Sequence, residues 1–371
     1  MTGPLRARVY TRGMKKRLAA AAWLALVVPA ACSGAGGPAA SDAAPPVAEA
    51  GSELDAAPPP SPPPPPRPPA DAAVSGPALL SETGLYADIK TRTLAPGVIP
   101  YGVRFPLWTD AAEKTRYLWL PPGARVDTSS MDEWTFPSDT RAWKEFRVDG
   151  KLVETRVLWK RGPGEGASAW WMMAYVWRAD GSDADATVPG VPAVQGTSHD
   201  VPPQTSCGTC HNDVRDALAG VGAIQLSEGA TLAKWTADGL FTAPPPAITP
   251  PGAGAVMAAL GYLHGNCGHC HNERAPRLAT QSAMRLRLLV GETDPANTQI
   301  HRTTVNVKMQ HVFPPDITVA VAPGQPEKSE LWVRMGLRDF NAMPPLGTKV
   351  VDDGGRDAVR AWILGLAPPP P

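Results

Sequence analysis

Short apolar and aromatic runs alternate with turn signals between residues 78 and 196, and this pattern predicts antiparallel strands. The runs cover residues 103–108, 115–120, 134–136, 143–148, 152–159 and 169–177. The tetrapeptide Val148-Asp149-Gly150-Lys151 separates two of them and is a hairpin signal, because Asp-Gly accepts the positive φ angles of a tight turn. We expect a β-rich domain over residues 77–196, built as a sandwich or an open barrel.

The pattern changes after residue 197, where longer stretches with glycine stops predict helices. These helices are expected over residues 213–219, 226–241, 253–264, 331–335 and 355–364. Three runs between residues 277 and 321 favour strands instead, at 286–290, 303–307 and 317–321. The predicted fold class is multidomain β plus α: an antiparallel β sandwich-like domain, then an α-helical region over 197–371 with a β-containing insertion.

The first 32 residues have the layout of an export signal. A basic region ends at Arg17, an apolar run covers residues 18–28, and small residues precede Cys32. The apolar run is too short for a typical membrane span. A cysteine after small residues resembles a bacterial lipoprotein signal, in which Cys32 is acylated and anchors the chain to a membrane. Pro29 keeps ordinary signal cleavage open as the alternative, and Met14 is a possible start.

Residues 33–76 are rich in proline and alanine, which predicts an extended, disordered tether without a core. The formal charge of zero is misleading. Six of the 35 basic residues and none of the 35 acidic residues precede Cys32, which leaves 29 basic residues against 35 acidic ones. A mildly acidic chain gives no support for nucleic-acid binding.

Two Cys-x-x-Cys-His motifs carry the candidate chemistry. Cys207 and Cys210 precede His211, and Cys267 and Cys270 precede His271. This pattern attaches c-type haem, with two thioether bonds and the histidine as an axial iron ligand. The motifs therefore predict two haem c groups. Zinc or a disulfide is the alternative for any Cys-x-x-Cys, but a closed zinc site needs four ligands and only the other motif supplies them.

A late methionine suggests the second axial ligand of the second haem. Met343, in Ala342-Met343-Pro344, follows the second motif and precedes the last predicted helix, an order that resembles class I cytochromes c. Ligation by histidine and methionine raises the reduction potential of haem iron. The plainer alternative is a methionine that packs in the core at a turn.

The first haem has no obvious second ligand. Six residues are candidates, and the sequence does not choose among them: His199, Met257, His264, His301, Met309 and His311. His269 lies inside the second motif at a variable position and is not expected to contact iron. The eight tryptophans between residues 108 and 177 either line an aromatic ligand cleft or pack in the core.

Several stretches together resemble a family of exported bacterial proteins of unassigned role. They are LSETGLY (80–86), FPLW (105–108), LPPG (120–123), WTFP (134–137) and GYLHGNCGHCH (261–271). In that family a β-rich region precedes two haem-attachment motifs. The resemblance implies a dihaem cytochrome c-like protein and supports both motifs and the Met343-Pro344 loop. It supplies no second ligand for the first haem, and neither the linker nor segment 294–297 matches a family pattern.

Electron transfer in the periplasm or at the cell envelope is the leading hypothesis for function, with an unknown redox partner. The alternative is an enzyme, a dihaem peroxidase or oxidase with an open site at the first haem. A third possibility is a surface protein whose β domain binds a glycan and whose haems are accessory.

Overall fold

The computed structural model describes residues 76–275, 282–310 and 312–367, all within a compact unit that extends from Pro66 to Pro371. The predicted signal, Cys32 and all of the predicted linker except Gly76 lie outside these ranges. Within them, no helix combines the length and apolar character that a membrane crossing requires.

A six-stranded antiparallel sheet forms the centre of the β-rich region, and its strands neighbour one another in chain order. A two-stranded sheet, β1 (Tyr86–Asp88) and β2 (Thr93–Leu94), precedes it. The six strands are β3 (Ile99–Tyr101), β4 (Glu113–Trp119), β5 (Arg141–Val148), β6 (Lys151–Lys160), β7 (Trp170–Trp177) and β8 (Ala184–Thr187). The β5–β6 hairpin turns at Asp149 and Gly150, both with positive φ as predicted.

Both faces of this sheet are covered. Leu118, Ala142 and Met172 on one face share a hydrophobic core with Trp235 and Phe241 of the following region. On the opposite face, a second core contains buried residues of the sheet and of the N-terminal segment: Leu80, Leu85, Trp143, Val157, Met173 and Tyr175. Burial on two faces explains why β7, with the sequence WWMMAYVW, is a continuous apolar run.

Seven helices are described. They are α1 (Cys207–His211), α2 (Ala223–Leu226), α3 (Thr231–Ala237), α4 (Gly254–Asn266), α5 (Gln299–Thr304), α6 (Glu330–Met335) and α7 (Asp353–Leu364). α4 and α7 pack closely, since a Cβ at Gly355 would collide with the Tyr262 ring. The predictions at 253–264, 331–335 and 355–364 are confirmed to within two residues at each end.

Other predictions of local structure were wrong. Residues 103–108 and 286–290 form no strand, and only Thr135 of 134–136 makes an isolated bridge. The run 303–307 overlaps α5, which begins because the Thr298 side chain accepts a hydrogen bond from the His301 amide. In the described part of the predicted β-containing insertion, only isolated bridges occur, from Val305 to Val321 and from Lys308 to Val319.

At the coarse level, the predicted mixture of antiparallel β-sheet and helices is confirmed. The division at residue 196 stays a prediction. The β-rich region and the region after it share one core and belong to the same compact unit.

Candidate functional site

The two Cys-x-x-Cys-His motifs lie next to each other in the fold. The first is the single turn α1, and the second begins where α4 ends at Asn266. One ligand atom each of Cys210, His269 and Cys270 lies within 4.8 Å of the others. All four motif cysteines are free and partly buried. The fold thus joins two motifs that are about 60 residues apart in the chain.

The first motif opens into a cavity between the sheet and the helical region. Its empty volume is about 1270 Å³, counting the solvent at its mouth. Cys210 and His211 line one side, and Tyr101, Arg116 and Lys144 of the sheet line another. Met131, His264 and His269 also line the cavity and carry potential ligand atoms, and Gly268 completes its wall.

His211 is oriented for ligation within this cavity. Its Nδ1 lies 2.5 Å from the carbonyl oxygen of Ala217. Because a carbonyl only accepts, Nδ1 carries the proton and donates, so a neutral ring has its lone pair on Nε2. Burial lowers the pKa of His211 to about 4, which keeps the ring neutral. This tautomer, with its lone pair on Nε2, is the form of histidine that can bind iron.

A buried polar network places the Ala217 carbonyl. Asp216 is 1% exposed and accepts hydrogen bonds from Lys160 Nζ (2.6 Å), the Phe136 amide (2.7 Å) and Trp170 Nε1 (2.9 Å). Ala217 follows with a φ of +57°. These bonds hold residues 213–219 as turns, which is why the helix predicted there was wrong.

The second motif opens into a separate cavity of about 930 Å³, again counting solvent at its mouth. Cys267 and His271 line it together with four methionines, Met284, Met309, Met335 and Met343. The fold therefore brings Met343 into the same cavity as His271. The Met343 amide donates to the Arg334 carbonyl (3.0 Å), which fixes the loop at this point.

His271 also has the features of an axial ligand. It is 6% exposed, and burial lowers its pKa to about 4. Its Nδ1 has no hydrogen-bond partner in the part of the chain that the structure describes. A buried ring nitrogen without a partner is costly unless a ligand or metal uses this ring.

Of the six candidates for the second ligand of the first haem, His264 alone lines the first cavity among the described residues. Met309 lines the second cavity, and His199 is bound to Glu154 (2.6 Å). The Met257 sulfur approaches Arg104 Nη2 at 3.9 Å, and His301 lines neither cavity. His311 lies outside the described residues.

The geometry of His264 favours donation of a hydrogen bond over binding of iron. Its Nδ1 accepts a hydrogen bond from the Leu288 amide (3.0 Å), so a neutral ring carries its proton on Nε2. Burial lowers the pKa of His264 to about 3, which keeps it neutral. His264 is thus suited to donate a hydrogen bond.

Sequence reasoning missed four residues of the first cavity. Met131 gave no signal, and His269 was set aside although it lies beside Cys210 and Cys270. Arg116 and Lys144 did leave a signal, because each lies two positions from an apolar residue of the same strand face, Leu118 and Ala142. A basic residue at an inward position of a buried sheet indicates a polar binding surface.

The donor sets suit haem c: free thiols, the neutral imidazoles of half-buried His211 and buried His271 and, at the second site, methionine sulfur. The cluster of Cys210, His269 and Cys270 suits a cation less well, because structural zinc takes four protein ligands. No known protein family matches this chain, and neither curated proteins nor solved structures show a significant similarity to it.

Proposed function

We propose that the protein is an exported c-type cytochrome that holds two haems covalently and transfers electrons in the periplasm or at the cell envelope. Cys207 and Cys210 attach the first haem, with His211 as its axial ligand. Cys267 and Cys270 attach the second, between His271 and Met343. Bound haem supplies one-electron chemistry, and the protein supplies attachment, ligation and burial.

The observation that carries the proposal is a cavity beside the histidine of each motif. Cys210 and His211 line the first cavity, together with Gly268 and His269 of the second motif, and Cys267 and His271 line the second cavity. The two motifs approach each other at Cys210 and Cys270. Haems attached at these two motifs would lie close enough for electrons to pass between them without a mobile carrier.

The finer fold assignment belongs to this proposal. The order of the second motif after α4, then α6, the Met343 loop and α7 is that of a class I cytochrome c-like region. The packing of α4 against α7 supports it. A sandwich-like arrangement is supported by the N-terminal segment that covers the outer face of the six-stranded sheet. Envelope localisation and a lipid anchor at Cys32 rest on the sequence alone.

The first cavity favours a second candidate function, an oxidase or peroxidase that acts at the first haem. Its lining places the neutral N–H donor of His264 and the cations Arg116 and Lys144 beside the site of His211. A polar distal pocket of this kind suits binding of a small polar substrate. In that function His264 donates a hydrogen bond to the bound substrate.

Anaerobic reductive titration of the protein, produced with a haem-attachment system, tests the main proposal. We expect uptake of two electrons per chain and a low-spin spectrum of the second haem that carbon monoxide leaves unchanged. A carbon monoxide adduct at one haem, lost in a Cys207→Ser/Cys210→Ser variant, would transfer support to the enzyme. A chain without reducible haem would refute both functions.

A further inference from the structure

A row of polar side chains crosses the sheet beneath the first cavity. In the strand register Tyr101 pairs with Arg116, Arg116 with Lys144, and Lys144 with Arg156. They share the face of Leu118 and Ala142, which is the face packed on the helical region. Three cations directly opposite one another on adjacent strands repel, so the arrangement is destabilising unless negative charge compensates it.

Compensation is present at one end of the row only. Arg156 donates two hydrogen bonds to Glu154, at 2.6 and 3.0 Å, and Glu154 also binds His199. Both residues belong to the hydrogen-bonded strands, but among the described residues neither the Arg116 guanidinium nor the Lys144 ammonium has a side-chain hydrogen bond or an ion pair. Lys144 Nζ lies 5.9 Å from the centroid of the Phe146 ring, which the Arg156 guanidinium approaches more closely, at 4.4 Å.

Arg116 is nevertheless buried, with 8% of its surface exposed, and it lines the cavity. A guanidinium keeps its charge in proteins, and an unpaired charge of this kind is costly to bury. Burial also lowers the pKa of Lys144 to about 7 and raises that of Tyr101 to about 12, so the Tyr101 hydroxyl remains a donor. This wall of the cavity offers donors and positive charge.

The carboxylates of the cavity lining are engaged elsewhere. Asp216 binds Lys160 and the two groups described above. Glu133 pairs with Arg274 (2.7 Å) and Arg287 (3.2 Å). Asp132 accepts a hydrogen bond from the Val290 amide (2.6 Å). The protein therefore leaves the charge of Arg116 and Lys144 to a ligand.

The row also runs away from the first motif. Arg156 is the member of the row that interacts electrostatically with the thiols of Cys207 and Cys210. Two strand spacings, about 10 Å, separate Arg156 from Arg116. A group attached at the thiols and extending over the row reaches the unpaired cations with its far edge.

We infer that Arg116 and Lys144, with the Tyr101 hydroxyl beside them, form a carboxylate-binding site in the first cavity. The carboxylates come either from the propionates of the first haem, which rests on the proposed function, or from a small carboxylate that enters the cavity. Arginine and lysine are the side chains that bind carboxylates most strongly, because the hydrogen bonds are charge-assisted.

The test compares the haem-loaded wild type with Arg116→Gln and Lys144→Gln. Lys151→Gln, at the exposed β5–β6 turn, is the matched control. Acetate is the probe for binding, and potentiometry with resonance Raman spectra reports on the first haem. Arg116→Lys keeps the charge and is expected to retain the wild-type behaviour, which separates loss of charge from loss of folding.

Two results support the site and identify the carboxylate. If propionates occupy it, acetate leaves the wild-type spectrum unchanged, while both glutamine variants lower the potential of the first haem and shift its propionate vibrations. If a free carboxylate occupies it, acetate shifts the spectrum of the first haem, and both variants weaken this binding at least tenfold. Folded glutamine variants that match the wild type in every readout would overturn the inference.

Failure of the proposed function gives a different result. If the chain carries no haem, acetate binding is measured by calorimetry on the haem-free protein. Binding that Arg116→Gln weakens at least tenfold, and Lys151→Gln does not, supports the carboxylate site without haem. Equal binding, or no binding, by wild type and Arg116→Gln would overturn it.

Discussion

The two cavities differ in the chemistry of their walls. The cations Arg116 and Lys144 and the N–H donor His264 line the first cavity. Four methionines line the second with His271, and its charged residues Arg334 and Glu330 pair with each other. A neutral, soft sulfur ligand suits iron that only changes oxidation state. A wall of donors suits a charged or polar group. Under the proposed function, this difference favours electron transfer at the second site and further chemistry at the first.

The largest expected effect comes from removing the proposed axial ligand of the first site. We expect His211→Ala to remove or strongly disturb the spectrum of one haem and leave that of the other unchanged, because the two cavities have separate lining histidines. Optical and paramagnetic resonance spectra measure this. His301→Ala, on α5 outside both cavities, is the control, and equal damage to both haems would remove the distinction between the sites.

The next largest effect is expected from the buried hydrogen-bond network of Asp216, which positions the Ala217 carbonyl beside His211. Asp216→Asn leaves Lys160, itself 2% exposed, without its charged partner, so we expect a loss of about 3–5 kcal/mol in the free energy of unfolding. Urea denaturation measures it. The exposed Lys234–Asp238 pair gives the control, since Asp238→Asn should cost about 0.3–0.5 kcal/mol. Similar costs for both variants would show that the network does not support the first site.

The second cavity is tested through its sulfur atoms. Met343→Ala should lower the potential of one haem by on the order of 0.1 V, a fraction of the roughly 0.8 V over which axial ligands act. The Met-to-iron charge-transfer band should disappear as well. Met309→Ala and Met335→Ala, from the same cavity, are the controls. Loss of the band in Met309→Ala instead would move the ligand to Met309.

The smallest effect concerns the charged end of the cation row. Burial alone would raise the pKa of Glu154, but Arg156 and His199 outweigh it and hold the pKa below its usual value. The stabilisation by ionised Glu154 is therefore present above the unfolded pKa of about 4.3 and disappears as the pH falls through the lower folded value. We expect Glu154→Gln to cost about 1.5–3 kcal/mol at pH 7.

Unfolding free energies of wild type and Glu154→Gln should therefore converge only when the pH falls below the lowered pKa of folded Glu154. Glu165→Gln, which removes a half-exposed partner of Arg215, should change little at either pH. If Glu154→Gln is still less stable than wild type in acid, the lost stability comes from packing rather than from the charge of Glu154.

Local patterns predicted the parts of the fold that depend on local chemistry. Asp149-Gly150 marked the β5–β6 hairpin, and glycine and proline positions bounded α4 and α7. The turn at Asp216 was not predictable, because its partners Lys160 and Trp170 lie 46 or more residues away in the chain. The proposed role of Arg116 and Lys144 was not predictable either, because it depends on the strand register and on the absence of a counter-charge among the described residues.

Haem stoichiometry tests the central claim most directly. Denaturing mass spectrometry, after production with a haem-attachment system, should find two covalent haems on the wild-type chain. Each double variant, Cys207→Ser/Cys210→Ser and Cys267→Ser/Cys270→Ser, should carry one. A wild-type chain without covalent haem, or with zinc held by the same cysteines, would contradict the account.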